Sequence, residues 1–313
     1  MRKPTVHQIK NALEGSACLL GQRICPTIED LGFRATPNKQ YNEDETGKSK
    51  EIDVHAIKST PLSKDKTSDI FETVLVIKCE NNSSPMVFFT QEGSPAEVSS
   101  GTGLAGYPTG ISKGVRKEVV VPVEEYFNLR QFHHSYKAKW AARQFCELKQ
   151  GADDAKGSKN KLDWCVSHEN QFQTIENLLD AAAHFTSEIR GRDVLDKVAG
   201  DAVRLRIVCP ILLFSGLVFE CRIKGKGYNV SEKEHLTFRK RVKTETLDGT
   251  YNIDVVQEDF LPKFLKMVSR EDSSIVKLCE GKYDLLKLGS EREFGELEGE
   301  KKESDAMYSV KWT

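Results

Sequence analysis

The sequence predicts an α/β protein built on a central mixed β-sheet flanked by helices. Apolar residues recur at steps of three to four near the N-terminus and again between residues 168 and 189, the period of an amphipathic helix. Short apolar runs, Val74-Leu-Val-Ile77, Met86-Val-Phe-Phe89, Ile211-Leu-Leu-Phe214 and Tyr251-Asn-Ile-Asp-Val-Val256, alternate with those stretches and have the length of strands. With 38% hydrophobic and 30% charged residues over 313 positions, the chain has the composition of a globular protein that can bury a good core.

Taken in order, Val6, Ile9, Leu13, Ala17, Leu20 and Ile24 place a helix over residues 5–32, broken near Pro26 and closed by Gly32. A weak strand follows from Phe33 to Tyr41, and a polar turn leads into Glu51. Residues 51–56 and 74–81 read as two short strands, with the polar stretch 58–72 as a hairpin loop between them. Residues 91–117 hold six glycines and two prolines but no phosphate-binding glycine motif, so they read as a long loop beside the strands, ending in Lys113, Arg116 and Lys117. Residues 124–149 read as a helix in which Lys137, Lys139, Arg143 and Lys149 interleave with aromatics, a pattern compatible with phosphate contacts or with plain amphipathic packing. His133 and His134 are neighbours on that helix and face different directions, so a shared ligand role is not expected.

The insertion 150–163 is followed by a second helix, 168–189, and by a core strand from Val203 to Gly216 that Pro210 ends or bulges. Residues 217–224 and 236–242 are expected to pair across a Gly-Lys-Gly turn, with Arg239, Lys240 and Arg241 as a basic cluster. The strand 251–256 carries Asp254, read as a structural polar residue, and a helix over 257–268 closes the domain. The organisation is thus one domain over 1–268, with a helical insertion at about 124–200, and a charged tail over 269–313 with a short strand at Tyr308–Trp312.

The chemistry concentrates in the two strands around the 58–72 loop. Residues two apart in a strand share a face, so Glu51 and Asp53 point one way and Lys78 and Glu80 point one way. If the strands are neighbours, three carboxylates and an ammonium converge, which suits a hard divalent cation and a water nucleophile. Alternating charges on an exposed edge strand also serve simply to keep it soluble.

The stretches Glu51-Ile-Asp53-Val-His-Ala, Ile77-Lys78-Cys79-Glu80-Asn81 and Pro85-Met-Val-Phe-Phe-Thr90 resemble the PD-(D/E)XK, or restriction-endonuclease-like, nuclease superfamily, with uncharacterised prokaryotic members nearest. The likeness spans roughly residues 5–268. It departs at one point: the family's acid-x-Lys is here Lys78-x-Glu80, which moves the ligands by about 7 Å, two residues of strand rise. The resemblance implies a restriction-endonuclease-like sheet and a Mg²⁺- or Mn²⁺-dependent nuclease acting on DNA. It makes Asp53 and Glu80 the metal ligands, with Glu51 assisting and Lys78 orienting water or stabilising charge. It also implies Gln144 beside the site and Glu14 as a helix-borne carboxylate, although a solvent-facing Glu is the commoner explanation. The exchange equally fits a catalytically degenerate member that binds nucleic acid or protein.

A net charge of −1 argues against a protein that coats nucleic acid, though not against a local basic groove. The longest apolar run, Ile207–Phe214, is too short to span a bilayer, and no secretory leader opens the chain, so a cytoplasmic location is expected. Eight cysteines without a C-x-x-C pair point away from zinc fingers and disulfide scaffolds, and Cys79, Cys209 and Cys221 read as buried thiols. The oligomeric state stays open, a homodimer included.

Overall fold

The computed structural model describes residues 3–14, 16–42, 47–63, 68–81, 84–92, 104–107, 110–113, 119–129, 132–150, 164–167, 172–190, 202–243 and 248–289. Helices α1 (Val6–Glu14) and α2 (Ala17–Glu29) open it. They part at Ser16, whose hydroxyl accepts from Leu19 N and caps α2. Pro26 lies inside α2 rather than breaking it, so the expected break is displaced by about three turns. Gly32 sits at φ +85° just past the helix, a conformation that favours glycine. Three antiparallel strands follow: β1 (Arg34–Asn42), β2 (Ser49–Pro61) and β3 (Ile70–Glu80), and pairing of Lys58–Pro61 with Ile70–Thr73 carries the strands into both ends of the expected 58–72 loop.

The chain then moves to the other end of the sheet with β4 (Met86–Glu92), returns with β5 (Leu104–Tyr107), and forms a separate ribbon of β6 (Gly110–Lys113) and β7 (Val119–Pro122). Two single-turn helices, α3 (Val123–Tyr126) and α4 (His134–Lys137), precede β8 (Trp140–Gln150) and β9 (Trp164–Ser167). The expected helix over 124–149 is therefore replaced by two single helical turns and, from Trp140 on, by strand, and the 124–200 insertion contributes β8 and β9 to the main sheet. Ala, Arg, Gln, Glu and Lys are good helix formers, but propensity is a weak force beside tertiary context. Pairing with β4 overrides that preference, and Phe145 stacks on Phe88 with ring centroids 5.3 Å apart.

Helix α5 (Phe172–Ser187) leads to β10 (Arg204–Phe214), then to β11 (Val218–Lys224), β12 (Gly227–Glu232), β13 (His235–Lys243) and β14 (Asp248–Gln257). The hairpin across Gly-Lys-Gly joins β11 to β12, while β13 pairs with β14, which corrects the expected pairing of 217–224 with 236–242. Helix α6 (Leu261–Glu280) runs well beyond residue 268 and buries Asp272, Ile275, Val276 and Cys279, so the folded body includes the start of the expected tail. The strand expected at Tyr308–Trp312 lies outside the described residues.

The strands line up as β1-β2-β3-β10-β14-β13-β8-β4-β11-β12, with β5 beside the first half of β10 and β9 beside β8. The sheet is mixed: β3/β10, β10/β14, β13/β8 and β4/β11 are parallel pairs. Alternation sorts the core into two layers. Val54, Leu75, Ile77 and Leu213 pack under α2 and α6, and Val74, Val76, Val208 and Leu212 pack under α5. Strand β10 is covered on both faces, which accounts for its nearly continuous apolar run. Pro210 is tolerated inside it: one edge of β10 pairs with β5 over 204–207 and with β14 over 211–214, and Pro210 falls in the interval between. Among the described residues, no helix is long and apolar enough to cross a membrane.

Candidate functional site

The last bridged pair of the β2/β3 hairpin is Val54 with Ile77, and the next residues outward are Asp53 and Lys78. The ammonium of Lys78 lies 2.8 Å from Asp53 Oδ1, and the Cys79 backbone N–H donates to Asp53 Oδ2 at 2.6 Å. Neither side chain is fully enclosed, with 16% of Asp53 and 24% of Lys78 exposed. Two residues on, Asn81 ties the end of β3 to the α1–α2 junction by donating to the carbonyls of Glu14 and Ser16. Glu14 itself is exposed, and it is the backbone of this residue, rather than its carboxylate, that meets β3.

Glu80 follows Lys78 on the face covered by α5, where Thr174 hydrogen-bonds its carboxylate. Burial raises the Glu80 pKa, while Thr174 and Lys78 pull it back and Asp53 and Glu147 add to the rise. Glu51 is exposed in β2, opposite Gln40. The sequence-predicted centre thus brings Asp53 and Lys78 into contact, with Glu80 in their field. Asp53, Glu80 and Glu51 are not among the described sets of three whose ligand atoms lie within 4.8 Å of one another.

Of the expected nucleic-acid contacts, Arg143 and Gln144 lie exposed on β8. Arg143 joins Arg239, Lys240, Arg241 and Thr250 in lining an open cleft of about 500 Å³. Helix α5 runs between the cleft and the carboxylates: its Glu176 acts on Lys240 and its Thr174 holds Glu80. Lys139 is fully outside it and pairs with Glu92 at 2.9 Å. Lys113 lies in β6, and Arg116 and Lys117 lie outside the described residues.

A second polar cluster, missed in the sequence, occupies the opposite face of the sheet under α6. Asp254 Oδ1 is 2.9 Å from His134 Nε2 and 3.0 Å from His235 Nε2, and Glu271 Oε2 is 2.7 Å from His134 Nδ1. Burial disfavours charge on His134, yet Asp254 and Glu271 outweigh it and raise the pKa to about 10. Burial also disfavours charge on Asp254, and the two imidazoles overcome it to hold the pKa well below the usual carboxylate range. His133 is fully buried and neutral, its pKa lowered to about 4 by burial and by His134. The two adjacent histidines do not diverge as expected: their rings stack 4.4 Å apart, and one ligand atom each of His133, His134 and Glu271 lies within 4.8 Å of the others, although His133 Nδ1 also meets Ser135 Oγ at 2.7 Å. In the sequence this cluster showed only as the adjacent pair His133-His134 and as a carboxylate inside the apolar strand 251–256. Comparison with known proteins brings no match: no family model, no curated protein and no solved structure matches this chain.

Proposed function

We propose that the chain is a metal-dependent nuclease that hydrolyses DNA phosphodiester bonds, of the restriction-endonuclease-like type. The observation that carries this reading is the Lys78 ammonium 2.8 Å from Asp53 at the open end of two adjacent strands, with Glu80 next along the same strand. The donors are carboxylate oxygens, which suit hard Mg²⁺ or Mn²⁺ rather than a soft ion. Asp53 and Glu80 would hold the cation, which supplies a water of lowered pKa and neutralises phosphate charge. Lys78 orients the attacking water or stabilises the oxyanion as charge builds. Glu51, exposed on β2, assists from the solvent side. Arg143, Lys240 and Arg241 then take the phosphates of the flanking strand.

The direct Lys78–Asp53 ion pair also favours a second reading. A pair that satisfies itself needs no metal, so the fold would serve as a nucleic-acid-binding module through the same cleft. Cleavage of plasmid and single-stranded DNA with Mg²⁺ or Mn²⁺ separates the two. The nuclease reading expects activity in the native protein and its loss in Asp53→Ala and Lys78→Ala, with far-UV circular dichroism unchanged. Absence of cleavage by the native protein overturns it. The binding reading then requires affinity whose salt slope falls by about one for each of Lys240→Ala and Arg241→Ala.

A further inference from the structure

The cluster under α6 combines four elements distant in sequence: His134 from α4, His235 from the start of β13, Asp254 from β14 and Glu271 from α6. Two imidazole Nε2 atoms aim at one carboxylate oxygen, at 2.9 and 3.0 Å, and all three atoms lie within 4.8 Å of one another. We infer that His134 Nε2, His235 Nε2 and the Asp254 carboxylate form a binding site for a divalent transition-metal ion of the Zn²⁺ class, with Glu271 holding the His134 ring.

Geometry argues first. Zinc binds imidazole nitrogen and carboxylate oxygen at roughly 2.0–2.2 Å in tetrahedral array, which separates neighbouring ligand atoms by roughly 3.3 Å. The two contacts to Asp254 need to open by only a few tenths of an ångström to admit the ion, and the three residues' ligand atoms already lie within 4.8 Å of one another.

The far side of the His134 ring argues next. Metal-bound histidines almost always donate their other N–H to a carboxylate, carbonyl or water. Glu271 Oε2 stands 2.7 Å from His134 Nδ1, so it fixes the proton there and leaves the Nε2 lone pair facing His235 and Asp254. Without an ion, the same ring must carry a proton on both nitrogens to satisfy both carboxylates.

Charge points the same way. Asp254 and Glu271 are only 4% and 13% exposed, and a dication with neutral imidazoles balances both. The nitrogen-rich set selects against Mg²⁺ and Ca²⁺. Phe264 packs on both imidazoles, its centroid 5.4 Å from His134 and 4.9 Å from His235, and Phe260 lies parallel to His235 at 6.4 Å, an apolar wall that raises the local field. Three protein ligands leave one tetrahedral position for water. The site lies on the sheet face opposite Glu80, so it stands or falls independently of the nuclease reading.

The experiment titrates the full chain, carrying Cys18→Ser and Cys165→Ser to remove the two exposed thiols, with Zn²⁺ and Co²⁺. One equivalent should bind and survive dialysis, and the Co²⁺ form should show tetrahedral visible bands without a thiolate charge-transfer band. Glu271→Gln should weaken binding by about 10–100-fold, and His235→Gln should abolish stoichiometric uptake with circular dichroism unchanged. Asp254→Asn should behave as His235→Gln, which decides the matter alone if the asparagine variant does not fold. No stoichiometric uptake by the parent, or equal uptake by parent and His235→Gln, overturns the site. The cluster is then an imidazolium held between two carboxylates, and any bound ion is adventitious.

Discussion

His55 is buried in β2 with its ring 4.2 Å from that of Phe185, and its Nε2 has no hydrogen-bond partner. Burial, reinforced by Lys39 and Arg206, lowers its pKa from 6.5 to about 4. Between those two values the unfolded chain takes up a proton that the folded chain refuses, so stability falls as pH drops below 6.5 and levels off near 4. The loss is at most about 1.4 kcal/mol per pH unit. Urea midpoints measured from pH 7 to pH 4 should decline less steeply in His55→Phe than in the native protein. A parallel decline in both would show that other groups set the acid limit. At this scale the sequence was readable where chemistry follows the strand period: Asp53 and Lys78 sit on adjacent strands and meet. It was not readable where chemistry depends on long-range folding. His134 and Asp254 are 120 positions apart, and no local pattern announces their contact.

Among the elements, the pairing of β3 with β10 carries a buried marker of its register. Glu72 and Arg206 are directly opposite in the ladder, and Arg206 Nη2 and Nε donate to Glu72 Oε2 at 2.7 and 2.9 Å. Both residues are buried, and Arg206 Nη1 also reaches Glu188 Oε2 at 3.3 Å, so it is removal of Arg206 that strands a buried charge, the Glu72 carboxylate. Arg206→Ala should cost roughly 3–5 kcal/mol, whereas replacing both by apolar residues of similar size should cost far less or nothing. Equilibrium urea denaturation of the two singles and the double reads this directly, and additive losses would contradict it. The elements read best from sequence were those with one strong period: α2, α5, β3, β10 and β14. The segment 140–150 was misread because its residues favour helix locally, and only pairing with β4, about 50 positions earlier, makes it strand. Helix α1 shows the converse. Its period is regular, yet Val6, Ile9 and Leu13 remain exposed and no residue of the helix is buried.

For the molecule as a whole, strand order departs from chain order almost everywhere beyond β3. β3 waits for β10, more than a hundred positions later, and β4 is completed by β8 and β11 rather than by β3. Contacts of that span make closure of the sheet a late event in folding. Sequence reasoning reached the class and the two-layer covering of the sheet, since both follow from which residues are apolar. Strand order lay beyond it, because order is set by which edges remain free once the helices have packed.

The central position of β10 has a kinetic face. Its backbone groups are shared among β3, β5 and β14, and both of its surfaces are roofed by helices, so no local opening frees its amides. In deuterated buffer, the N–H groups of Leu205, Ile207, Ile211 and Leu213 should therefore exchange only through global unfolding, at rates that report the full stability of the chain. Pro210, having no amide, will be silent in the middle of that protected row. Amides of α1 and of the edge strand β12 should exchange orders of magnitude sooner. Rapid exchange along β10 would mean that the sheet opens between β3 and β14 as two separable halves.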